Sequence, residues 1–284
     1  MTTSTLSIAS VHTTTAQFRA WGSAIAAQFA ARLTQTADTG QINWATVNYT
    51  ASTNTIQGYE IYYLNDTHHA TSPIYLKFGY GTGSNSSTPL IRVEIGTGSN
   101  GSGTLTGTGS GTTVDIGSGA GSATAANCYF ASGTGYFTAL IWNASGAAQC
   151  VAVQRTCDTD GTPNTKGAVL LYGKGTAGRA RALRFESTAA AYTAVTDWAV
   201  VPGNSTEMTL GNGDKQIFMH WGMFPDCRPL FASCLGAALD FSGGSTLSVA
   251  LFGSTSRTYI STGAQWGPAG TGDASNHSAL LLYE

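Results

Sequence analysis

The sequence predicts an all-β protein with one helix near its start, and three features of it lead there. Charged residues make up only 10% of the 284-residue chain, less than half the share of an ordinary soluble domain, while the glycines number 36. Lys and Glu, which normally coat exposed helices, give way to Ser, Thr, Asn and Gly, so turns and strands are favoured over helices. Through much of the chain apolar and polar residues alternate at period two, as half-buried strands require. One stretch near the N-terminus repeats at helical period instead.

That stretch comes first in chain order. Thr14 and Gln17 have capping-box spacing, and Phe18, Trp21, Ile25, Phe29 and Leu33 then recur along one face. Gly22 and the alanines opposite make the helix thin. A stripe of such large apolar residues must be buried, either on its own domain or on a neighbouring subunit. In the second case Phe18, Trp21, Ile25 and Phe29 are the docking interface.

After TADTGQINW the period changes to two. In SPIYLKFGYG, Ile74, Leu76, Phe78 and Tyr80 alternate with Tyr75, Lys77 and Gly79; LIRVEIG and GYEIYYLND read the same way. Lys77, Arg92, Glu94 and Glu60 are expected on the polar faces of these strands. Cross-strand pairs among them would set register at roughly 0.2–1 kcal/mol each.

The pentapeptide GTGSN occurs twice, at Gly81–Asn85 and Gly96–Asn100. The first copy lies between two strands, where Gly and Asn supply the positive φ of a tight turn. The second opens a long Gly/Ser/Thr run punctuated by Leu105, Val114 and Ile116, which reads as a hairpin with a glycine-rich loop at a domain junction. The expected organisation is therefore a helix-plus-antiparallel-sheet domain over 1–110, a junction over 111–126, and a β-sandwich-like domain over 127–284. In the last region GYFTALIWN, QCVAVQRTC, GAVLLYG, KQIFMHWG, TLSVALFG and SALLLYE are separated by turn sequences.

Motifs for chemistry are weak. Gly173, Gly175 and Gly178 spell GxGxxG after an apolar strand, but no helix or βαβ unit follows, so a glycine-rich β turn is expected and no nucleotide cofactor. Arg179, Arg181 and Arg184 beside it read as a solvated strand face. DTDGTPN begins like a calcium loop yet has Val169 where a bidentate glutamate belongs. His68 and His69, if on a strand, point to opposite faces and cannot share a metal ion. Cys128, Cys150, Cys157, Cys227 and Cys234 contain no CxxC pair and read as buried thiols. No catalytic, cofactor-binding or metal-binding residue is assigned, and no enzyme activity is expected. Paired carboxylates for glycan cleavage would have to come from residues such as Asp197, Glu207, Asp214 and Asp240.

The net charge of −2 and pI of about 6.2, with no basic run, argue against nucleic acid as a partner. No segment has the apolar length of a membrane-spanning helix, and MTTSTLSIASVHTTT lacks the pattern of a secretory signal, so synthesis in a cytoplasm without membrane insertion is expected.

FRAWGSAIAAQFA, QTADTGQINWATV, GYEIYYLND, SPIYLKFGYGTG and IRVEIGTGSNGSGTLTG, taken in this order over residues 15 to 108, resemble structural proteins of tailed bacteriophage particles. The resemblance implies a virion component, a subunit of a tail, baseplate, fibre or neck assembly. Its partners would be copies of itself and other virion proteins, and it would be assembled in the host cytoplasm and carried in the virion. A second expectation is a receptor-binding module for a host-surface glycan or protein, for which exposed Trp221 and Trp266 would speak.

Overall fold

The computed structural model describes residues 2–8, 14–50, 52, 55–82, 89–107, 114–116, 126–142, 148–158, 162–174, 179–184, 205–210, 215–220, 228–229, 232–235, 244–251, 255–261 and 277–284. Among these the chain is mostly β, with one helix and several antiparallel sheets.

A short strand, β1 (Thr2–Ile8), precedes the helix α1 (Thr15–Ala30). Thr14 is extended, its hydroxyl oxygen accepts the Gln17 N–H at 3.3 Å, and Gln17 Oε1 lies 3.2 Å from the same hydroxyl. Helix entry is thus stabilised by the side chains that the capping-box spacing indicates. Gly22 has a structural reason: the indole of Trp44 lies across the helix there, and a Cβ on residue 22 would sit 2.0 Å from Trp44 Cη2.

The first sheet runs in the order β2 (Thr34–Gln35), β3 (Ile56–Tyr63), β4 (Tyr75–Thr82), β5 (Pro89–Gly96) and β8 (Val114–Ile116). Leu76 lies opposite Tyr62 and Ile95, Phe78 opposite Glu60 and Val93, and Tyr80 opposite Ile91. Directly opposed residues share a face, so these side chains form one apolar surface. Lys77 faces Glu94 across β4 and β5 on the other surface, with Nζ 3.7 Å from Oε1. Glu60 departs from expectation: it sits on the core face and is only 6% exposed. In GYEIYY both alternating sets contain large apolar residues, so period two alone does not say which set turns inward.

The second GTGSN copy folds into a small hairpin of its own, β6 (Gly98–Ser99) with β7 (Leu105–Thr106). Asn100 Oδ1 accepts the N–H groups of Ser102 and Thr104, and the Asp38 carboxylate accepts the Ser99 hydroxyl and, at 3.1 Å, the Gly103 N–H. The first copy joins β4 to β5, an antiparallel pair, with residues 83–88 outside the described set.

The second sheet runs β1, β9 (Ala126–Gly133), β10 (Tyr136–Trp142), β11 (Ala148–Cys157), β12 (Pro163–Lys174) and β13 (Arg179–Arg184), with β16 (Arg228–Pro229) also pairing β11. Gly173 lies in β12, Gly175 and Gly178 of the GxGxxG stretch lie outside the described residues, and the next described element is β13, an antiparallel partner of β12. A third sheet runs β14 (Ser205–Leu210), β15 (Lys215–His220), β17 (Ala232–Leu235), β20 (His277–Leu282), β19 (Thr255–Ser261) and β18 (Thr246–Leu251).

The main core lies between the first two sheets and is shared with α1. The Phe29 ring stacks on Phe78 of the first sheet at 4.1 Å and meets Phe130 and Phe137 of the second edge-on at 6.1 and 5.6 Å. On its other face the second sheet meets the third, where the Thr138 hydroxyl donates to the Leu282 carbonyl at 2.7 Å.

Phe18, Ile25 and Phe29 are 0% exposed and Trp21 6%, all buried within their own chain, so the proposed docking face is occupied internally. The sheets of the monomer already supply the apolar partner that such a stripe needs. β1 is an edge of the second sheet, β8 pairs with β5, and one apolar cluster runs from Phe18 to Leu170.

Candidate functional site

The polar side chains best organised by this fold lie where the first sheet is tied to the second. Between β3 and β4 the chain turns through residues 64–72, with Asp66 Oδ1 accepting the His68 N–H at 3.0 Å. His68 and His69 thus occupy a turn and not a strand, which corrects the opposite-face expectation.

From this turn Asp66 reaches Arg155 on β11 as a bidentate pair, Nε to Oδ2 at 2.6 Å and Nη2 to Oδ1 at 2.9 Å. The two side chains are 1% and 0% exposed. The fork of a guanidinium matches a carboxylate in this geometry, and burial makes each charge depend on the other. Two contacts extend the tie: His68 Nε2 lies 3.0 Å from the Pro163 carbonyl, and the Ser72 hydroxyl donates to the Thr165 carbonyl at 3.2 Å.

Local structure positions Arg155. Its N–H donates to the Gly135 carbonyl at 2.7 Å, and Gly135 has φ +80° in the β9–β10 turn, where a Cβ would sit 2.7 Å from Pro163 Cβ. That combination calls for glycine. The DTDGTPN stretch closes the β11–β12 hairpin beside it: Asn164 Nδ2 donates to Asp158 Oδ1 at 3.0 Å, and the Thr156 hydroxyl lies 2.5 Å from Asn164 Oδ1. Of the side chains that suggested a calcium loop, Asp158 and Asn164 are engaged with each other, while residues 159–161 lie outside the described set.

His69 packs against Tyr63 and Tyr75 with ring centroids 4.3 and 5.8 Å away. Burial lowers its pKa, Asp66 opposes that shift and Arg155 reinforces it. The second buried acid, Glu60, accepts the Tyr80 hydroxyl at 2.7 Å and the Tyr62 hydroxyl at 3.0 Å. Burial pushes its carboxyl above the ordinary range, while the two hydroxyl hydrogen bonds pull the other way. The same burial raises the Tyr80 hydroxyl well above its usual value.

Chemically, these two clusters neutralise and hold. Asp66 gives both oxygens to one guanidinium, and Glu60 faces two tyrosines inside the apolar core. Among the described residues no three His, Cys, Asp or Glu side chains converge as metal ligands. Cys128, Cys150 and Cys157 are buried and in no disulfide, and burial raises the Cys150 thiol well above the usual range.

The side chains of Arg179, Arg181, Arg184 and Glu207 lie outside the described set, as do Asp197, Asp214, Trp221, Cys227, Asp240 and Trp266. No spacing rule pointed to Asp66 with Arg155, which are 89 residues apart. Compared with known proteins, the chain matches no family model, no curated protein and no solved structure.

Proposed function

We propose that this chain is a structural protein of a tailed bacteriophage virion, a non-catalytic subunit of a tail, baseplate, fibre or neck assembly. The observation that carries the reading is the fate of its few charges: among the described residues the acidic and basic side chains Glu60, Asp66 and Arg155 are buried and engaged in internal ties. The remaining surface, in a chain with 10% charged residues and net charge −2, has little long-range repulsion to oppose packing of copies. The resemblance of residues 15 to 108 to phage structural proteins supports the same reading.

Its partners are then copies of itself and other virion proteins, and it resides in the particle after assembly in the host cytoplasm. The β-sandwich-like arrangement of residues 127–284 is part of this proposal, supported by the contact of the second and third sheets at Thr138 and Leu282. The test is immunolabelling: antibodies against the purified chain should decorate intact particles at one fixed location in electron micrographs. Particles that bind no antibody while the free chain does would overturn it.

A further inference from the structure

The second GTGSN copy differs from the first in the residue that follows it: Asn100 precedes Gly101, whereas Asn85 precedes Ser86. An Asn–Gly step has a chemistry of its own, because no Cβ on the second residue hinders its backbone nitrogen from reaching the asparagine side-chain carbon. Asn100 and Gly101 are both exposed at the tip of the β6–β7 hairpin. Gly101 has φ +79°, and a Cβ built on it would meet nothing within 4 Å.

The hydrogen bonds around this step are arranged as a reaction would need them. Asn100 Oδ1 accepts the backbone N–H groups of Ser102 and Thr104 at 2.9 and 3.0 Å. Two such donors polarise the side-chain carbonyl and stabilise negative charge developing on its oxygen, as an oxyanion hole does. The Gly101 N–H donates to Ser99 Oγ at 3.3 Å, and Ser99 Oγ donates in turn to Asp38 Oδ2. The proton of the attacking nitrogen is therefore one hydroxyl away from a carboxylate that can take it. Further contacts hold the parts in place: the Gly103 N–H donates to Asp38 Oδ2 at 3.1 Å, and the Thr39 N–H donates to the Gly101 carbonyl at 3.0 Å.

We propose that Asn100 is a self-modification site, at which the hairpin converts its own asparagine to aspartate and isoaspartate through a cyclic imide. The Gly101 nitrogen bonds to Asn100 Cγ while its proton passes to Ser99 Oγ and the Ser99 proton passes to Asp38. The side-chain oxygen carries the resulting negative charge between the Ser102 and Thr104 N–H groups. As that charge collapses back to a carbonyl, the Cγ–Nδ2 bond breaks and the amino group takes the proton back through the relay, leaving as ammonia. Water then opens the imide at Cγ, giving aspartate, or at the main-chain carbonyl of residue 100, giving isoaspartate. In sum, asparagine and water give either acid and ammonia, and Asp38 and Ser99 are restored. Both products add a negative charge to an exposed loop, and isoaspartate also lengthens the main chain next to the carbonyl that holds Thr39. The inference stands apart from the virion reading.

Peptide mapping by mass spectrometry on the full chain, incubated at neutral pH, tests it, since both products carry a hydroxyl in place of an amino group. Asn100 should convert at least about tenfold faster in the native protein than in urea, and S99A and D38N should each slow the native rate at least about tenfold. S99T keeps the hydroxyl and should keep the fast rate. The wild-type rate should change little with pH around neutrality, whereas the S99A rate should rise with pH as hydroxide replaces the relay. Circular dichroism and Tm verify folding, and the serine variants carry the test if D38N fails to fold. Asn212–Gly213, the other Asn–Gly step of the chain, is followed in the same digests and should not respond to either substitution. A native rate at or below the unfolded one overturns the proposal. So does an S99A rate equal to wild type, an S99T rate as slow as that of S99A, or a parallel slowing at Asn212.

Discussion

Replacing Arg155 with Met keeps most of the side-chain volume but removes the partner of a carboxylate that is 1% exposed. Asp66 then has two oxygens, previously 2.6 and 2.9 Å from the guanidinium, with no cation and no route to bulk water. Breaking a buried pair from one side costs about 3–5 kcal/mol, because the remaining charge is left uncompensated. For a chain of this size each kcal/mol lowers Tm by roughly 2–4 °C, so R155M should melt about 6–20 °C lower. Asp66→Leu should fall in the same range. The double variant D66L/R155M leaves no orphan charge and should recover most of the loss, since apolar replacements of such pairs are often neutral. Differential scanning calorimetry on the four proteins completes the cycle. A single-variant loss below about 1 kcal/mol, the value of an exposed pair, would refute the argument that this tie is desolvated.

Three further outcomes follow from the same structure. Burial holds the Glu60 carboxyl above its ordinary value, so the fold binds that proton more tightly than the unfolded chain. The resulting stability is present below the unfolded pKa and is lost as pH rises through the folded one. Glu60→Gln should flatten the Tm–pH curve over that interval and raise Tm at pH 7; a curve parallel to the parent's would count against the buried-acid reading. Gly22→Ala should lower Tm although alanine is the better helix former by about 1 kcal/mol, because its Cβ must displace the rigid Trp44 ring; a higher Tm would show that the indole moves freely. Cys128, Cys150 and Cys157 should resist a thiol reagent in the native state and react on unfolding, as mapped by mass spectrometry. Rapid labelling of Cys150 without denaturant would contradict its burial.

Local patterns in the sequence were readable where one physical cause dominates. The Thr14–Gln17 spacing and the Phe18–Phe29 stripe predict the helix, and the alternation predicts cross-strand pairs among Lys77, Arg92, Glu94 and Glu60, of which Lys77 with Glu94 forms. Long-range facts were not readable. Asp66 and Arg155 meet only because two sheets pack together, and β1 joins a sheet whose other strands begin more than a hundred residues later. β1 also escaped the period-two search: TTSTLSI contains only two apolar residues, which suffices for an edge strand and resembles a polar N-terminus. Glu60 was placed on the wrong face because tyrosines occupy both phases of GYEIYY.

The most direct test of the structural role is quantitative mass spectrometry of purified particles, counting this chain against a known capsid protein. The account predicts a constant copy number in every preparation, retained through density-gradient purification and high-salt washing. A chain found only in the lysate, or one whose ratio to the capsid protein falls towards zero with each wash, would contradict it.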